Sequence, residues 1–424
     1  AFSVMPRLVT KRGVGLETTA SLGNRWHQTT LSTGYLHKDR LFNGEFSKEE
    51  FDRLQTPSAE SEFNRSDRWD GSVLHKGRFG YFETELDHNF VSDQDYFRDV
   101  SSSYSGIERE PLPQFARVGL SFDELKINVL ARGFEVTDSI SSSGYRITPE
   151  ISAAYYLRAS NLPSISFSLR STHFAHSAWH GVQGVKPEGR RNHFEMILSQ
   201  PLATKFGLAK FEGGYRYSRY RLDETLEVKE LSAAQAKQSR GLGFFSVDLR
   251  SYFDRDINWR GNTLLQTIEP RLYFLFQEYV DQTRIPIFDV ANFQSGYSRL
   301  FRRDQFAGID RIADANKVVL GFSSSMSSKA GGQELLVFRI GRSFPFEDRR
   351  VRLEDRYAVD QDEAFVGELS VMINERLSSV IGFVWDDNDE NMSQSSFHLN
   401  YRGKRNELVN VGYRKLVERN ISQT

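Results

Sequence analysis

The sequence predicts an all-β protein, a large antiparallel β-barrel, and three observations lead to this prediction. Apolar and polar residues alternate along many segments, as they do in strands with one apolar and one polar face. The connections between these segments alternate between short turns and long polar loops. Aromatic residues make up 13% of the 424 residues, yet the longest apolar runs, such as Leu272–Phe276, are far shorter than the ~20 residues of a membrane-spanning helix.

The segment 80–90 shows the alternation clearly. Its even positions are mostly apolar, as at Phe82 and Leu86, whereas its odd positions include the carboxylates Glu83, Glu85 and Asp87. The same pattern recurs from end to end, at 116–122, 125–132, 146–158, 163–170, 336–341, 365–374 and 397–402. Together these segments predict roughly 17 to 19 strands, many of them longer than the ordinary strands of soluble sheets.

The connections predict how the strands are joined. Short turns such as Ser121–Glu124 and Asn374–Arg376 alternate with long polar stretches, which are 39–64, 93–113, 175–191, 223–239 and 278–316. This alternation is typical of an up-and-down transmembrane barrel of the outer membrane. Such a barrel leaves no unpaired backbone in lipid and accommodates charges on its water-filled side. We therefore expect five mid-strand charges to face the lumen: Glu83, Glu85, Asp87, Glu150 and Arg170.

A soluble β-sandwich or jelly roll also explains the alternation, because one face of each sheet packs on a core. The number and length of the strands and the lack of a domain boundary favour the barrel. We expect residues 1–424 to form one outer-membrane β-barrel domain.

Composition excludes several functions. The 55 basic residues nearly balance the 56 acidic ones, so no electrostatic field favours a nucleic-acid partner. Cysteine is absent, which excludes disulfides and thiolate metal sites within this segment. The sequence contains no nucleophile elbow, zinc-protease motif or phosphate-binding loop, so we expect no enzyme and no cofactor. The loosely spaced His173, His176 and His180 and the acidic run Asp386–Asn391 are better explained as loop residues than as metal ligands.

The long loop 278–316 is the most informative segment. It keeps many apolar residues between its carboxylates and arginines, which a flexible loop does not require. We expect this loop to be folded, with its charges bound to the barrel wall or to backbone groups. The candidate residues are Asp289, Arg303, Asp310, Arg311 and Asp314. The alternative is that these charges contact a transported molecule directly.

Several motifs carry a resemblance to a known family. In and before the long loop they are Gln266–Tyr273, Asp281–Gln282, Ile285–Asp289, Leu300–Arg302 and Arg303–Asn316. Elsewhere they are Pro6–Arg7, Lys11–Leu16, Asn89–Asp93, Tyr96–Asp99, Gly189–Arg191 and Val409–Arg414. Taken in chain order they resemble the barrel domain of the LptD family (organic solvent tolerance proteins), which assembles lipopolysaccharide in outer membranes. The resemblance covers essentially the whole chain.

The resemblance implies a Gram-negative outer-membrane protein that translocates lipopolysaccharide and inserts it into the outer leaflet through a laterally opening barrel. The implied partners are lipopolysaccharide, membrane lipid, an LptE-type lipoprotein plug inside the barrel, and a periplasmic transport bridge that docks on an N-terminal domain. The chain departs from the family pattern, because the periplasmic jelly-roll, the last strands and the cysteines are absent from it. We therefore expect a barrel fragment.

Pro6 is the candidate residue for the lateral gate. It lies in the first strand-like segment and cannot donate a hydrogen bond to a neighbouring strand. Pairing along the seam, the line between the first and last strands, is therefore expected to be weak there. The alternative is that Pro6 merely begins a strand.

Three other functions also fit parts of the pattern. A general porin or solute channel shares the alternation but requires a closed barrel with a constricting loop. An outer-membrane enzyme requires a nucleophile and a base at the barrel rim, and the sequence shows neither. An adhesin would show sequence repeats.

Overall fold

The structure is a computed structural model that describes residues 1–42, 67–93, 96–100, 112–135, 144–158, 162–176, 187–223, 237–259, 261–353, 364–386, 391–403, 405 and 407–417. Within these ranges, no helix is long and apolar enough to cross a membrane. The described helices are two single turns, α1 (Tyr96–Asp99) and α2 (Tyr297–Leu300).

Strands dominate the described chain. They are β1 (Phe2–Val9), β2 (Gly13–Gly23), β3 (His27–Leu36), β4 (Arg68–Phe79), β5 (Phe82–Val91), β6 (Leu112–Ser121), β7 (Leu125–Glu135), β8 (Arg146–Leu157), β9 (Ser164–Ala175), β10 (Gly189–Thr204), β11 (Gly207–Leu222), β12 (Lys237–Ser251), β13 (Phe253–Trp259), β14 (Asn262–Gln277), β15 (Ala291–Asn292), β16 (Phe306–Ala307), β17 (Ala315–Ser328), β18 (Glu334–Pro345), β19 (Ala364–Asn374), β20 (Leu377–Asp386), β21 (Asn391–Arg402) and β22 (Leu408–Leu416).

The predicted all-β, antiparallel fold is confirmed. Twenty of the described strands belong to one sheet, and β15 and β16 form a separate two-stranded ribbon inside the long loop. The count is slightly above the predicted 17 to 19. One reason is that a single stretch of sequence is interrupted at Tyr252, giving β12 and β13, which both pair with β14.

The chain divides into two compact units. The first comprises Ala1–Tyr155, Ser168–His193 and Arg219–Lys237, and the second comprises Tyr156–Phe167, Phe194–Ser218 and Gln238–Thr424. In the first unit β1 to β8 pair in sequence order, each strand antiparallel to the next. In the second unit β14 and β17 to β22 pair in the same way.

The sheet of the first unit has one exposed apolar face. Register places Phe82 opposite Leu120, and Val118 opposite Val129, on this face. Phe82 is 52% exposed and Val118 is 49% exposed, so neither side chain is enclosed in a dry core. Contiguous apolar surface of this kind indicates contact with membrane or with another protein.

The second unit has the same two-sided construction, and here the other face is covered. Leu272 and Leu320 are opposite each other on the exposed face, whereas their sequence neighbours Tyr273 and Val319 are opposite each other on the buried face. The side chain of Leu300, from the long loop, packs in the same apolar cluster as Tyr273 and Val319. The long loop therefore lies against the face that points away from the exposed apolar surface.

We expect the two faces of β17 to respond differently to a positive charge. Leu320→Arg places an arginine on the exposed apolar face and is expected to lower the free energy of unfolding by about 2–4 kcal/mol if that face contacts the bilayer interior. Ser323→Arg is the matched control, because Ser323 lies opposite Glu269 on the other face and its arginine can form an ion pair there. Urea unfolding of the full-length protein in lipid vesicles measures both changes. Equal losses would contradict this assignment of the faces.

Candidate functional site

The first candidate site is the edge of β1 that faces away from β2, which we call the far edge. The Ala1 ammonium donates to the Ser21 carbonyl oxygen at 2.6 Å, and the Ser21 N–H donates to the Ala1 carbonyl oxygen at 2.7 Å. Doubly bonded pairs recur at every second residue of an antiparallel ladder, and the β1–β2 register shows no shift. Odd-numbered residues of β1 therefore bond to β2, and the nitrogen of Pro6 lies at the far edge.

Because proline has no backbone N–H group, the far edge of β1 lacks a hydrogen-bond donor at residue 6. The β1–β2 ladder loses no hydrogen bond at this position. The neighbouring far-edge donors are the N–H groups of Val4 and Leu8. A strand paired along this edge would therefore retain one carbonyl without its ladder donor, which is costly in a membrane. The side chains of β1 are also open, since Phe2 is 73% exposed and Leu8 is 81% exposed.

A buried arginine organises the loops beside β1. Arg68, the first residue of β4, is 0% exposed. Its guanidinium donates to both carboxylate oxygens of Asp93, at 2.9 and 2.6 Å. It also donates to Asp39 and to Asp99, each at 3.0 Å, and its carbon lies 4.4 Å from the centre of the Phe42 ring. These four charge-assisted hydrogen bonds offset the free-energy cost of burying the guanidinium cation.

Arg12 connects the β1–β2 turn to the same carboxylates. It donates to Asp39 at 2.8 Å and lies 3.3 Å from Asp99. We call Arg12, Asp39, Arg68, Asp93 and Asp99 the Arg68 cluster; it contains two cations and three carboxylates. Three motif segments, Lys11–Leu16, Asn89–Asp93 and Tyr96–Asp99, contribute to it, whereas sequence reasoning missed Arg68 because a lone arginine after a long loop carries no distinguishing pattern.

The second candidate site is the long loop of the second unit, which Asp310 holds together. Asp310 is 0% exposed, and its carboxylate accepts the N–H groups of Phe288 at 2.7 Å and Asp289 at 3.1 Å. The Asp289 carboxylate in turn accepts the Ile309 N–H at 3.3 Å. Gly308 has φ +80°, and a Cβ there would lie 2.2 Å from the Asp289 carbonyl oxygen, so this turn requires glycine.

Arg240 of β12 binds the backbone of this loop to the sheet. Its guanidinium donates to the carbonyl oxygens of Ile309 at 2.6 Å and Asp310 at 3.1 Å, and to the Gln282 side chain at 2.5 Å. Gln282 also donates to the Ile312 carbonyl at 2.7 Å and accepts the Ile312 N–H at 3.0 Å. Neither Arg240 nor Gln282 was a candidate residue, although Gln282 lies in one of the motifs.

The remaining loop candidates also contact protein groups. The Asp314 carboxylate accepts the N–H groups of Arg350 at 3.1 Å and Val351 at 2.8 Å, and Arg311 donates to the Ile285 carbonyl at 2.8 Å.

Arg303 contacts two strands of the same unit. It donates to Glu195 of β10 at 3.0 Å, and its guanidinium lies 4.2 Å from the centre of the Phe244 ring. Glu195 also accepts a hydrogen bond from Arg216, which pairs with Asp304 at 2.6 Å. The five candidate loop residues therefore bind side chains of the strands or backbone groups.

The five mid-strand charges lie on one face of the first unit. Register aligns Glu85 with Arg117, Leu130 and Glu150 in a row across four strands, and places Glu83 and Asp87 on the same face of β5. Arg117 donates to Glu85 at 2.9 Å, and Arg170 lies 3.7 Å from Glu150. This polar face is opposite the exposed apolar face.

In the described part of the chain, no group of three or more histidine, cysteine or acidic residues is arranged to hold a metal ion. The ring of His173 lies 3.0 Å from the Asp223 carboxylate and 3.2 Å from the Thr148 carbonyl oxygen. His180 and residues 387–390 lie outside the described ranges.

Comparison with known proteins shows which family the chain is similar to. Residues 66–424 match the family model LptD, described as LPS transport system D. The chain is 28% identical to the LPS-assembly protein LptD of Pseudomonas savastanoi pv. phaseolicola over 97% of this chain and 46% of that protein. It is 27% identical to the LptD of Nitrosomonas eutropha, over 97% and 54%, and 25% identical to that of Legionella pneumophila strain Paris, over 99% and 52%. The chain thus spans about half the length of these curated relatives.

Asp310→Asn is expected to loosen the long loop. The Phe288 and Asp289 N–H groups both donate to the Asp310 Oδ2 atom. An amide oxygen in its place carries no formal charge, so both charge-assisted hydrogen bonds weaken, at a cost of about 1–3 kcal/mol. Limited proteolysis between residues 278 and 314 of the full-length protein measures the change. Asp281→Asn is the control, because that exposed carboxylate accepts hydrogen bonds from the neighbouring Thr283 and does not join separate parts of the loop. Equal cleavage rates for wild type and Asp310→Asn would show that Asp310 does not hold the loop.

Asp39 makes the Arg68 cluster sensitive to acid. Burial alone would raise its pKa, but hydrogen bonds from the Leu41 N–H and from Arg68 and Arg12 lower the pKa below its usual value. The Asp39 carboxylate therefore stabilises the fold above its unfolded pKa of about 3.9, and this stabilisation is lost as the pH falls through the folded-state pKa. We expect Asp39→Asn to unfold at a lower temperature than wild type at pH 7 and the two melting curves to converge in acid. A constant difference at all pH values would contradict this.

Proposed function

Since the chain belongs to the LptD family, we propose that it forms the membrane-spanning wall of a protein that translocates lipopolysaccharide and inserts it into the outer leaflet of the outer membrane. The single observation that carries the lateral part of this proposal is the position of the Pro6 nitrogen at the far edge of β1.

Family membership also bears on the broader predictions. It confirms the recognition of the family and the location in the outer membrane of a Gram-negative bacterium, and it fits the 20-stranded sheet as part of a larger barrel. It does not favour the alternative of a general porin or solute channel.

The chemistry of lipopolysaccharide supports a lateral route. Its sugar chain is polar, and its acyl tails are not. Exposing one tail of about a dozen carbons to water costs about 10 kcal/mol. A route that keeps the sugar beside the polar face and the tails beside the apolar face avoids this cost. Such a route requires the wall to open along one line between two strands.

The far edge of β1 is the line that we propose. A strand paired there lacks one ladder bond at Pro6, whereas the β1–β2 ladder is complete from Phe2 opposite Ala20 to Val9 opposite Gly13. Opening along the far edge therefore breaks fewer backbone hydrogen bonds per residue than opening between β1 and β2.

We also propose the remaining features that the resemblance implies. Residues 1–424 form one barrel domain whose polar face, with Glu83, Glu85, Asp87, Glu150 and Arg170, lines the lumen. An LptE-type lipoprotein plug packs against this face, and the periplasmic bridge delivers lipopolysaccharide through a domain outside this chain. The face is suited to a polar partner because its carboxylates and arginines are partly exposed.

Pro6→Ala tests the seam. The alanine restores an N–H donor at the far edge, so pairing along the seam strengthens and lipopolysaccharide delivery slows. We expect less newly synthesised lipopolysaccharide at the cell surface in a pulse-labelling experiment with the full-length protein. The number of assembled protein molecules in the outer membrane should remain unchanged.

Pro201→Ala in β10 is the matched control, because it also replaces a strand proline but lies in another part of the sheet. It should leave the rate of surface delivery at the wild-type value. Unchanged delivery with Pro6→Ala, at normal protein levels, would remove the far edge of β1 from the mechanism.

A further inference from the structure

We propose that the Arg68 cluster is a clamp that fixes the β1–β2 turn to the loops of β3, β4 and β5, so that β1 stays on the sheet when its far edge opens. Arg12 and Arg68 are positioning residues in this proposal, and they are not expected to contact the cargo. The clamp thereby keeps one of the two strands at the seam, β1, in a fixed position. The proposal rests on the lateral route described above.

The cluster joins separate segments of chain. Arg12 comes from the β1–β2 turn, Asp39 follows β3, and Arg68 begins β4. Asp93 follows β5, and Asp99 ends helix α1. Because each of the two arginines binds carboxylates from more than one segment, moving the turn away from the sheet separates several charge-assisted bonds at once.

Backbone and apolar contacts support the same junction. The Arg40 N–H donates to the Arg12 carbonyl oxygen at 2.9 Å, and the His37 N–H donates to that of Val14 at 3.3 Å. Val9, the last residue of β1, packs against the buried cluster of Leu36, Tyr96 and Val100. The end of β1 is therefore held by packing as well as by charge.

A second polar connection lies further along the hairpin. Arg7 of β1 forms an ion pair with Glu17 of β2.

A glycine in β3 allows a close approach beside this hairpin. Gly34 of β3 lies opposite Asp70 of β4, and a Cβ at position 34 would lie 2.1 Å from the Asp70 Oδ1 atom and 3.0 Å from the Tyr96 hydroxyl. A glycine at this position leaves space for Asp70 and Tyr96 beside β3, so helix α1, which begins at Tyr96, can lie close to the strand.

These contacts make the two edges of β1 unequal. The edge of β1 that faces β2 is held by a complete ladder, by the Arg7–Glu17 ion pair and by the Arg68 cluster. On the other side the ladder lacks the donor of Pro6. A force that separates strands in this region therefore opens the far edge and leaves β1 to β4 together. Without the clamp, β1 would separate from β2, and the strand that borders the seam would have no fixed position.

Arg12→Ala in the full-length protein, assembled with its native partners in outer-membrane vesicles, tests the clamp. Hydrogen exchange measured by mass spectrometry should show about tenfold faster exchange in peptides covering residues 2–14. Peptides from β17 and β18 should exchange at the wild-type rate. Arg78→Ala is the matched control, because Arg78 also pairs across a hairpin, with Glu83, but lies at the opposite end of β4 and is largely exposed. It should leave residues 2–14 unchanged.

Unchanged exchange in Arg12→Ala, or an equal increase in Arg78→Ala, would overturn the clamp. If Arg12→Ala does not assemble, Asp99→Asn removes one carboxylate contact of Arg12 and leaves Asp39 in place, and the same increase is expected. Surface delivery of lipopolysaccharide should fall in Arg12→Ala; faster exchange with normal delivery would overturn the role of the clamp in export. Surface delivery in Pro6→Ala, measured in parallel, tests the lateral route separately from the clamp. This substitution changes the far edge of β1 and leaves the Arg68 cluster intact.

Discussion

In a bilayer every backbone N–H and C=O group must find its partner within the protein, and this constraint underlies the whole structure. It explains why the chain consists of long antiparallel strands, each paired to its neighbour, with an apolar face on one side. It also makes any strand edge an exceptional place. The far edge of β1 is such an edge, and Pro6 removes one backbone N–H donor from it.

Buried charges hold described residues of the long connections in place at two sites. Arg68 is enclosed by three aspartates beside β1, and Asp310 is enclosed by backbone N–H groups in the long loop. In both places an ion without access to water is stabilised by several directed hydrogen bonds, so the segment that carries it has little freedom to move. One of these sites lies beside β1, and the other lies in the long loop, which packs on the face opposite the exposed apolar surface.

The motifs acquire a physical meaning once the contacts are known. Asn89–Asp93 and Tyr96–Asp99 supply carboxylates for Arg68, while Asp281–Gln282 and Arg303–Asn316 meet at Arg240. The residues at the two centres, Arg68 and Arg240, were not among the candidates. Each is a single arginine in or beside a strand, and nothing in its local sequence separates it from an arginine that faces solvent.

The sequence by itself determined the all-β class, the antiparallel order, the two faces of each strand and the folded nature of the long loop. These follow from local periodicity and composition, because a strand of period two fixes which residues share a face. Only the tertiary structure decided which partners the charges take and which edge of β1 lacks a donor. Those outcomes depend on register and on contacts between segments such as Arg12 and Asp99, which are distant in sequence and carry no local signal of their proximity.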